Sequence, residues 1–327
     1  MGAGPVVSLD RVERIYRQPF TSLLYEAQTI HRQHHQPDSV QLCTLANIKS
    51  GRCPEDCKYC PQSARYDTPA EDYQLQSLAE IETQARAAKA NGSTRFCMGA
   101  AWRKVPDGEE FDRILDMVRT VVDLEMEACV TLGMLRPDQA QRLADAGLTA
   151  YNHNLDTSES YYPEIISTRT YRDRLDTIAA VSAAGISVCC GGILGMGESE
   201  QDRIELLHTL ANLDPQPESV PVNALVPVAG TPFSDRPVVS AVDMARTIAT
   251  ARILLPRAIV RLSAGRTQMT AADQALCFMA GANSIFTGEK LLTTDNPGSG
   301  ADAQLFDRLG LTAWETVPLR QPAPADV

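Results

Sequence analysis

Three cysteines in one short loop carry the clearest chemical signal in this chain of 327 residues: Cys53, Cys57 and Cys60. Three residues separate the first pair and two separate the second, so three thiolates can converge on one face of a compact iron–sulfur cluster and leave a fourth iron open to an exogenous ligand. Zinc is the competing metal, but structural zinc sites commonly use two paired cysteine knuckles, and the sequence has no second knuckle. The charged residues between the cysteines indicate a polar loop, so we predict a metal or cluster site here.

An alternation of strands and helices from residue 41 onward must position this loop. The predicted strands are 42–49, 94–99, 127–132, 149–154, 186–191, 219–226, 258–263 and 283–286. The predicted helices between them are 76–90, 109–125, 137–146, 172–184, 200–213, 241–254 and 271–280. Eight strands alternating with helices over about 250 residues predict an α/β fold, a (β/α)8 TIM-type barrel, with a doubly wound open sheet as the alternative.

A second set of candidate ligands follows from the faces of these strands, because successive side chains of a strand point to opposite sides. Cys97, Cys129 and Cys189 each lie opposite the aliphatic or aromatic residues of their strand. The corresponding faces of other strands carry Arg261, Asn152 and Asn154. The apolar faces of barrel strands must meet the surrounding helices, so we predict that the polar set lines the lumen and forms a second metal site.

Three other cysteines receive no ligand role. Cys190 lies on the face opposite Cys189 and is predicted to point toward the helices, and Cys277 is predicted to be a core residue of its helix. Cys43, on the first strand, is predicted only to border the lumen.

The two ends of the chain are predicted to lie outside the barrel. Residues 1–40 form an N-terminal helical extension that Pro19 divides into two helices, and residues 41–313 form the barrel. Residues 314–327 form a short disordered C-terminal tail.

Three histidines of the extension, His31, His34 and His35, have a helical spacing that would suit a metal ion. No cysteine or carboxylate supports them in the sequence, so we interpret them as a solvated polar helix face.

The overall composition restricts the class of protein. A net charge of −11 leaves no basic face for a nucleic acid. The sequence shows neither a signal-peptide pattern nor an apolar run of membrane-spanning length. We therefore expect a cytoplasmic protein whose nine cysteines are reduced.

Two motifs resemble those of radical S-adenosylmethionine (SAM) enzymes. The loop Cys53-x-x-x-Cys57-x-Tyr59-Cys60 resembles their cluster loop. The run Gly191-x-Ile193-x-Gly195-x-x-Glu198 resembles their adenine-contacting motif. The spacing of the glycines in this run is not that of a dinucleotide-binding turn. Glycines would nevertheless let the backbone approach a ligand closely.

Further segments narrow the resemblance to the biotin synthase family of that superfamily. The matching segments are 94–102, 151–157, 260–266 and 277–284, and the likeness runs from about residue 40 to about residue 296. The chain departs from the family's pattern at Cys43, where serine is expected, and at Cys190, beside a matched cysteine.

The resemblance implies a sulfurtransferase that converts dethiobiotin to biotin. It implies a [4Fe-4S] cluster on Cys53, Cys57 and Cys60, through which SAM is cleaved to a 5′-deoxyadenosyl radical, and a [2Fe-2S] cluster that donates sulfur. The ligands implied for the second cluster are Cys97, Cys129, Cys189 and Arg261. The role of the arginine rests on the resemblance alone, because a guanidinium is normally a cationic donor. An electron donor such as a flavodoxin or ferredoxin and a homodimer are also implied.

The resemblance extends to the residues that contact the two small molecules. The implied SAM contacts are Tyr59, Ala100, Asn154, Asp156, Arg174, Ile193 and Val226. Asp156 suits ribose hydroxyls and Arg174 suits a carboxylate. The implied substrate contacts are Asn152, Asn154, Asn223, Thr293 and Thr294. The amides match the ureido ring, which both donates and accepts hydrogen bonds, and the threonines match the substrate's carboxylate tail.

Two other functions remain open at this point. A radical SAM barrel enzyme that performs a rearrangement or cleavage would need no second set of thiols, so Cys97, Cys129 and Cys189 argue against it. A non-enzymatic zinc or electron-transfer protein would use the loop cysteines alone, and iron and absorption measurements on an anaerobic preparation distinguish it.

Overall fold

The predicted strands form a closed parallel barrel in a computed structural model, which describes residues 6–315. The barrel strands are β1 (Ser39–Lys49), β2 (Arg95–Ala100), β3 (Glu127–Thr131), β4 (Ala150–Asn152), β5 (Ser187–Cys189), β6 (Gly192–Leu194), β7 (Ser219–Ala224), β8 (Ile259–Leu262) and β9 (Ser284–Phe286). β5 and β6 both pair with β7 and are two halves of one barrel strand, and β9 pairs back with β1. The predicted (β/α)8 barrel is therefore confirmed, and the open sheet is wrong.

Helices surround this barrel and connect its strands. They are α1 (Leu9–Tyr16), α2 (Phe20–His34), α3 (Leu78–Ala90), α4 (Glu109–Asp123), α5 (Pro137–Asp145), α6 (Tyr162–Ile165), α7 (Tyr171–Ala183), α8 (Glu200–Ala211), α9 (Ala241–Leu254), α10 (Ala271–Met279) and α11 (Ser299–Leu309). Four of them begin with a capping box, in which a hydroxyl and an acidic side chain three residues later satisfy the free backbone N–H groups. The hydroxyl residues are Ser77, Thr170, Ser199 and Thr270.

Buried side chains divide into two regions, as the alternation of strand faces predicts. Cys190 and Cys277 are fully buried in the large core between the strands and the helices. Cys97 and Cys129 belong to a smaller buried cluster inside the barrel, and Cys43 lies there with them. The prediction of which cysteines face the lumen and which face the helices is therefore confirmed for these residues.

The N-terminal helices pack against the barrel's outer layer, α1 on α8 and α9, and α2 on α9. They separate at Pro19, as predicted. The interpretation of the histidines as a solvated face is wrong for His31, which is 1 % exposed, and for His35, whose Nε2 lies 2.8 Å from Nη1 of the buried Arg252. The prediction is wrong for these two histidines because α2 packs on α9, a contact that the polar sequence of α2 alone does not predict.

Two small pairings follow the last barrel strand. A hairpin of β10 (Lys290–Leu291) and β11 (Thr294–Asp295) lies beside β1, and β12 (Thr312–Ala313) pairs with the start of β1. The predicted tail, 314–327, lies outside the described residues except for its first two. None of the helices among residues 6–315 is long and apolar enough to cross a bilayer.

Candidate functional site

A cavity of about 320 Å³ occupies the barrel lumen and opens at the carboxyl ends of the strands. Its volume lies in the range of small-molecule sites, and this end of a TIM-type barrel is where active sites are built. Every candidate site residue lines it: Cys53, Cys57, Tyr59, Cys60, Cys97, Ala100, Cys129, Asn152, Asn154, Asp156, Arg174, Cys189, Ile193, Asn223, Val226, Arg261, Thr293 and Thr294. The structure thus brings together residues that are spread over most of the sequence.

The loop with the first three cysteines follows β1 and is held by the segment between α6 and α7. The carboxylate of Asp56 accepts hydrogen bonds from the backbone N–H groups of Ser167 at 2.9 Å and Thr168 at 3.1 Å. The N–H of Lys58 donates to the carbonyl of Ile165 at 2.9 Å. Burial acts to raise the pKa of Asp56, but its hydrogen bonds outweigh burial and lower the pKa to about 2. The loop is therefore fixed before any metal binds.

The three loop thiols face the cavity from a poorly solvated position. Burial raises the pKa of Cys60 to about 11 and raises the pKa values of Cys53 and Cys57 as well. Without a metal these groups are neutral thiols, so metal binding must release their protons. Within residues 6–315, no three His, Cys, Asp or Glu side chains are close enough to hold a single metal ion. Cluster ligands bind different iron atoms and need not converge on one point, so the arrangement fits an iron–sulfur cluster better than a zinc ion.

The second set of thiols lies deeper in the lumen. Cys97 and Cys129 are direct neighbours on β2 and β3, and the pKa of Cys97 is raised by a hydrogen bond with Cys129 and by burial. Cys189 Sγ accepts hydrogen bonds from Asn152 Nδ2 at 3.3 Å and from Arg261 Nη1 at 3.8 Å. Three thiols on neighbouring parts of one buried wall are a suitable donor set for an iron–sulfur cluster.

Arg261 is a hydrogen-bond donor in this arrangement. Its guanidinium is 1 % exposed, donates to Ser284 Oγ at 3.0 Å, and approaches Cys43 Sγ at 3.3 Å. Burial alone would lower its pKa, but the charges of Cys43 and Cys189 raise the pKa above its ordinary value. Cys43 therefore contacts the guanidinium of Arg261, which stays protonated in the structure described.

Three of the residues expected to bind SAM are bonded to one another. The carboxylate of Asp156 accepts hydrogen bonds from Arg174 and, at 2.9 Å, from the hydroxyl of Tyr59. Arg174 Nε also donates to the hydroxyl of Tyr162 at 2.9 Å. Asp156 has a φ of +68°, which is rare for a residue with a side chain and shows that its position is imposed by the surrounding backbone.

The three asparagines expected to bind substrate use part of their hydrogen-bonding capacity within the protein. Asn152 Oδ1 accepts from the Thr131 hydroxyl at 3.1 Å, and its Nδ2 donates to Asn154 Oδ1 at 3.0 Å. Asn223 Nδ2 donates to the carbonyl of Gly192 at 3.0 Å. Each amide has further lone pairs or N–H groups that can meet a ligand.

The glycine run after β5 is required by contacts within the protein. A Cβ at Gly191 would lie 1.9 Å from the carbonyl oxygen of Pro221, so only glycine fits there. Farther along, the buried Glu198 carboxylate accepts from Gly195 N at 2.9 Å and from Gly197 N at 3.1 Å. These glycines let strands and turns meet closely, and Ile193 alone of the motif's named positions lines the cavity.

Several polar residues of the cavity wall have no role in the sequence analysis, and Thr131 and Arg169 are two of them. Thr131 lies on the same strand face as Cys129, so the alternation of strand faces contained a signal for it. Arg169 lies between two helices and follows no recognisable pattern, and only the structure brings it to the cavity.

Cys190 provides a test of the assignment of faces. Cys190→Ala removes a fully buried sulfur from the outer core, so we expect a loss of roughly 1–2 kcal/mol in the free energy of unfolding. Iron content, sulfide content and activity per folded molecule should stay unchanged. Thermal denaturation and metal analysis check both points, and loss of sulfide from the folded variant would contradict the assignment.

Two family profiles match the chain. The profile of the Radical SAM superfamily matches residues 47–210, and that of the Biotin and Thiamin Synthesis associated domain matches residues 221–312.

Curated relatives match almost the whole chain. A biotin synthase of Synechococcus sp. (strain JA-3-3Ab) is 65 % identical over 305 residues, which cover 93 % of this chain and 98 % of the relative. A biotin synthase of Gloeobacter violaceus (strain ATCC 29082 / PCC 7421) is 61 % identical over 304 residues, which cover 93 % of this chain and 96 % of the relative.

Solved structures of distant relatives share the fold. Methylornithine synthase superposes with a TM-score of 0.79 at 15 % identity, covering 96 % of both chains. The FeFe-hydrogenase maturase HydG from Carboxydothermus hydrogenoformans superposes with a TM-score of 0.77 at 16 % identity, covering 94 % of this chain and 76 % of that chain. These identities are low, so the two structures bear on the fold alone.

Proposed function

This chain belongs to the biotin synthase family, and we propose that its barrel cavity is the site where sulfur is inserted into dethiobiotin to give biotin. The observation that carries the proposal is the presence of two separate sets of three thiols on one cavity, one set in the loop after β1 and the other on the strands of the lumen. A barrel enzyme that only generates a radical needs the first set, whereas a sulfur-inserting enzyme also needs a sulfur source beside the substrate.

Cys53, Cys57 and Cys60 are the proposed ligands of the [4Fe-4S] cluster. When loaded, the two clusters and SAM supply the electron, the 5′-deoxyadenosyl radical and the sulfur of the reaction. The loop contributes a fixed platform, because its backbone is bonded to the segment after α6. Three loop thiols leave one coordination position for SAM's amino and carboxylate groups.

Cys97, Cys129 and Cys189 are the proposed thiolate ligands of the [2Fe-2S] cluster. Arg261 is the proposed fourth ligand on the strength of the family resemblance, and it must lose a proton to expose the nitrogen lone pair that would bind iron. In the structure described, the guanidinium donates hydrogen bonds to sulfur atoms instead. The thiols fit the cluster directly, whereas the arginine fits only after this change.

The SAM site is proposed to use residues at the mouth of the cavity. Tyr59, Ala100, Ile193 and Val226 supply surfaces for the adenosyl and methionine groups, and Asn154 supplies an amide. Asp156 is suited to the ribose hydroxyls, because a carboxylate accepts two hydrogen bonds from a diol.

Arg174 is the proposed partner of the SAM carboxylate. Because Arg174 is already bonded to Asp156, this role requires it to bind two carboxylates at once. The guanidinium has five N–H groups, so it can keep Asp156 and still bind a second carboxylate.

Dethiobiotin is proposed to bind between the asparagines and the β10–β11 hairpin. Asn152, Asn154 and Asn223 present amides that match a ureido ring, and the contact of Asn152 with Cys189 Sγ supports a ring position beside the proposed sulfur source. Thr293 and Thr294 lie at the hairpin turn and present hydroxyls to the carboxylate tail. The enclosed lumen keeps water from a reactive radical.

The remaining partners follow from the reaction. Cleavage of SAM requires single electrons, so we propose a small electron-transfer protein such as a flavodoxin or ferredoxin as the donor. A homodimer and a cytoplasmic location are proposed from the family resemblance.

An anaerobic single-turnover assay tests the proposed function. The reconstituted protein is mixed with SAM, a reductant and dethiobiotin, and biotin and 5′-deoxyadenosine are followed together. We expect both products, with about two molecules of 5′-deoxyadenosine per biotin, because each of the two C–S bonds requires one hydrogen abstraction. Deoxyadenosine without biotin would favour a radical SAM enzyme of another kind, and absence of iron and sulfide would favour a zinc protein.

A further inference from the structure

Arg169 is a buried arginine whose charge has no strong partner among residues 6–315. It lines the cavity, its side chain is 5 % exposed, and its Nε atom makes no hydrogen bond within the part of the chain that the structure describes. The nearest carboxylate atom is Glu55 Oε1 at 3.9 Å, beyond hydrogen-bonding distance, and that oxygen is likewise without a hydrogen-bond partner among residues 6–315. Both groups are therefore incompletely satisfied.

The position of Arg169 is determined by the cluster loop. It directly follows Ser167 and Thr168, whose backbone N–H groups are bonded to Asp56, so Arg169 lies beside the loop. Arg169 lines the same cavity as Cys53, Cys57 and Cys60, and its Nε lies 3.9 Å from the carboxylate of Glu55, which stands between the first two of these cysteines in the loop. The positive charge therefore faces the place where the three thiols meet the cavity.

A buried charge without a good partner is destabilising, so we expect a second charge to complete the site. Three thiolates and the sulfides of a [4Fe-4S] cluster would bring negative charge to this position. Glu55 already lies against Arg103 at 3.5 Å, which leaves the guanidinium of Arg169 available to the cavity.

We propose that Arg169 is a further residue of the [4Fe-4S] site, where its guanidinium lies against the cluster and stabilises the reduced, more negative state. The inference rests on the proposed function, because it requires the cluster on the three loop cysteines. It assigns to Arg169 a redox role that is separate from SAM binding by Arg174. A neighbouring cation favours the addition of an electron, so it makes the cluster easier to reduce.

The test is the midpoint potential of the [4Fe-4S] cluster in anaerobically reconstituted protein, measured without SAM by a titration that is followed by electron paramagnetic resonance. Arg169→Gln and Arg169→Met, two neutral variants of similar length, should each lower the reduction equilibrium constant by at least tenfold, or about 59 mV for a one-electron couple. Arg169→Lys keeps the charge and should stay within about threefold of the unchanged chain.

Arg103→Gln is the matched control, because Arg103 approaches the same oxygen of Glu55 but is 42 % exposed and does not line the cavity. We expect an unchanged potential in this variant. An equal shift in Arg103→Gln would overturn the proposal, since the effect would then come from Glu55. Unchanged potentials in both neutral Arg169 variants would overturn it as well, including the case in which only their affinity for SAM falls. Failure of the unchanged chain to bind a [4Fe-4S] cluster would instead refute the proposed function.

Discussion

Replacing Cys129 with alanine is expected to lower biotin formation by more than about 100-fold while 5′-deoxyadenosine is still produced. Cys129 lies in the centre of the interior set, beside Cys97 on the neighbouring strand and 1 % exposed. Its removal deletes a proposed ligand of the sulfur-donating cluster. The loop that is proposed to activate SAM is held by contacts with the segment after α6, which do not involve Cys129. We therefore expect SAM cleavage to continue in this variant while sulfur insertion stops.

The measurement is a single turnover that follows both products, together with iron, sulfide and the absorption spectrum. The matched control is Cys190→Ala, which removes the same atom from a buried cysteine on the other side of the barrel wall. We expect this control to keep both products. Normal biotin yield from a folded Cys129→Ala protein would refute a sulfur-donating role for the interior thiols.

The sequence was sufficient to predict the barrel and the lumenal position of the interior thiols. Both depend on local rules: the side chains of a strand alternate with a period of two, and the apolar face must meet helices. Cys97 and Cys190 were assigned to opposite sides of the barrel wall by these rules, and the structure agrees. The strand that breaks into β5 and β6 was not predicted, because Gly191 accommodates a close approach of Pro221 from another strand.

Contacts between distant elements were not predictable in the same way. Asp156 and Arg174 are predicted to bind different groups of SAM, and their bond to each other depends on where α7 lies relative to the segment after β4. His31 was assigned to a solvated face because its own helix is polar around it, whereas its burial comes from the packing of α2 on α9. No sequence pattern predicts that Arg169 reaches the cavity. Its position depends on the docking of its segment on a loop more than a hundred residues earlier.

Replacing Cys57 with alanine is expected to lower both 5′-deoxyadenosine and biotin by more than about 100-fold. Cys57 is the middle thiol of the loop and is buried, so its removal deletes a proposed ligand from a site that is shielded from water. Without this ligand the [4Fe-4S] cluster is not held, and SAM receives no electron. The interior thiols do not contact the loop's backbone anchors, so the [2Fe-2S] absorption should remain.

The two replacements together determine the order of the reaction. If the loop acts first and the lumen second, the double variant Cys57→Ala/Cys129→Ala should behave as Cys57→Ala does, with neither product. Residual 5′-deoxyadenosine in Cys57→Ala, at the level of Cys129→Ala, would show that the loop thiol is not needed for SAM cleavage. The two variants are expected to differ because the two sets of thiols lie on different elements. The loop cysteines lie on a segment outside the strands, whereas the interior cysteines lie on the strands themselves. Each set can therefore be removed without dismantling the other, which is what allows radical generation and sulfur insertion to be assayed as separate steps in one barrel.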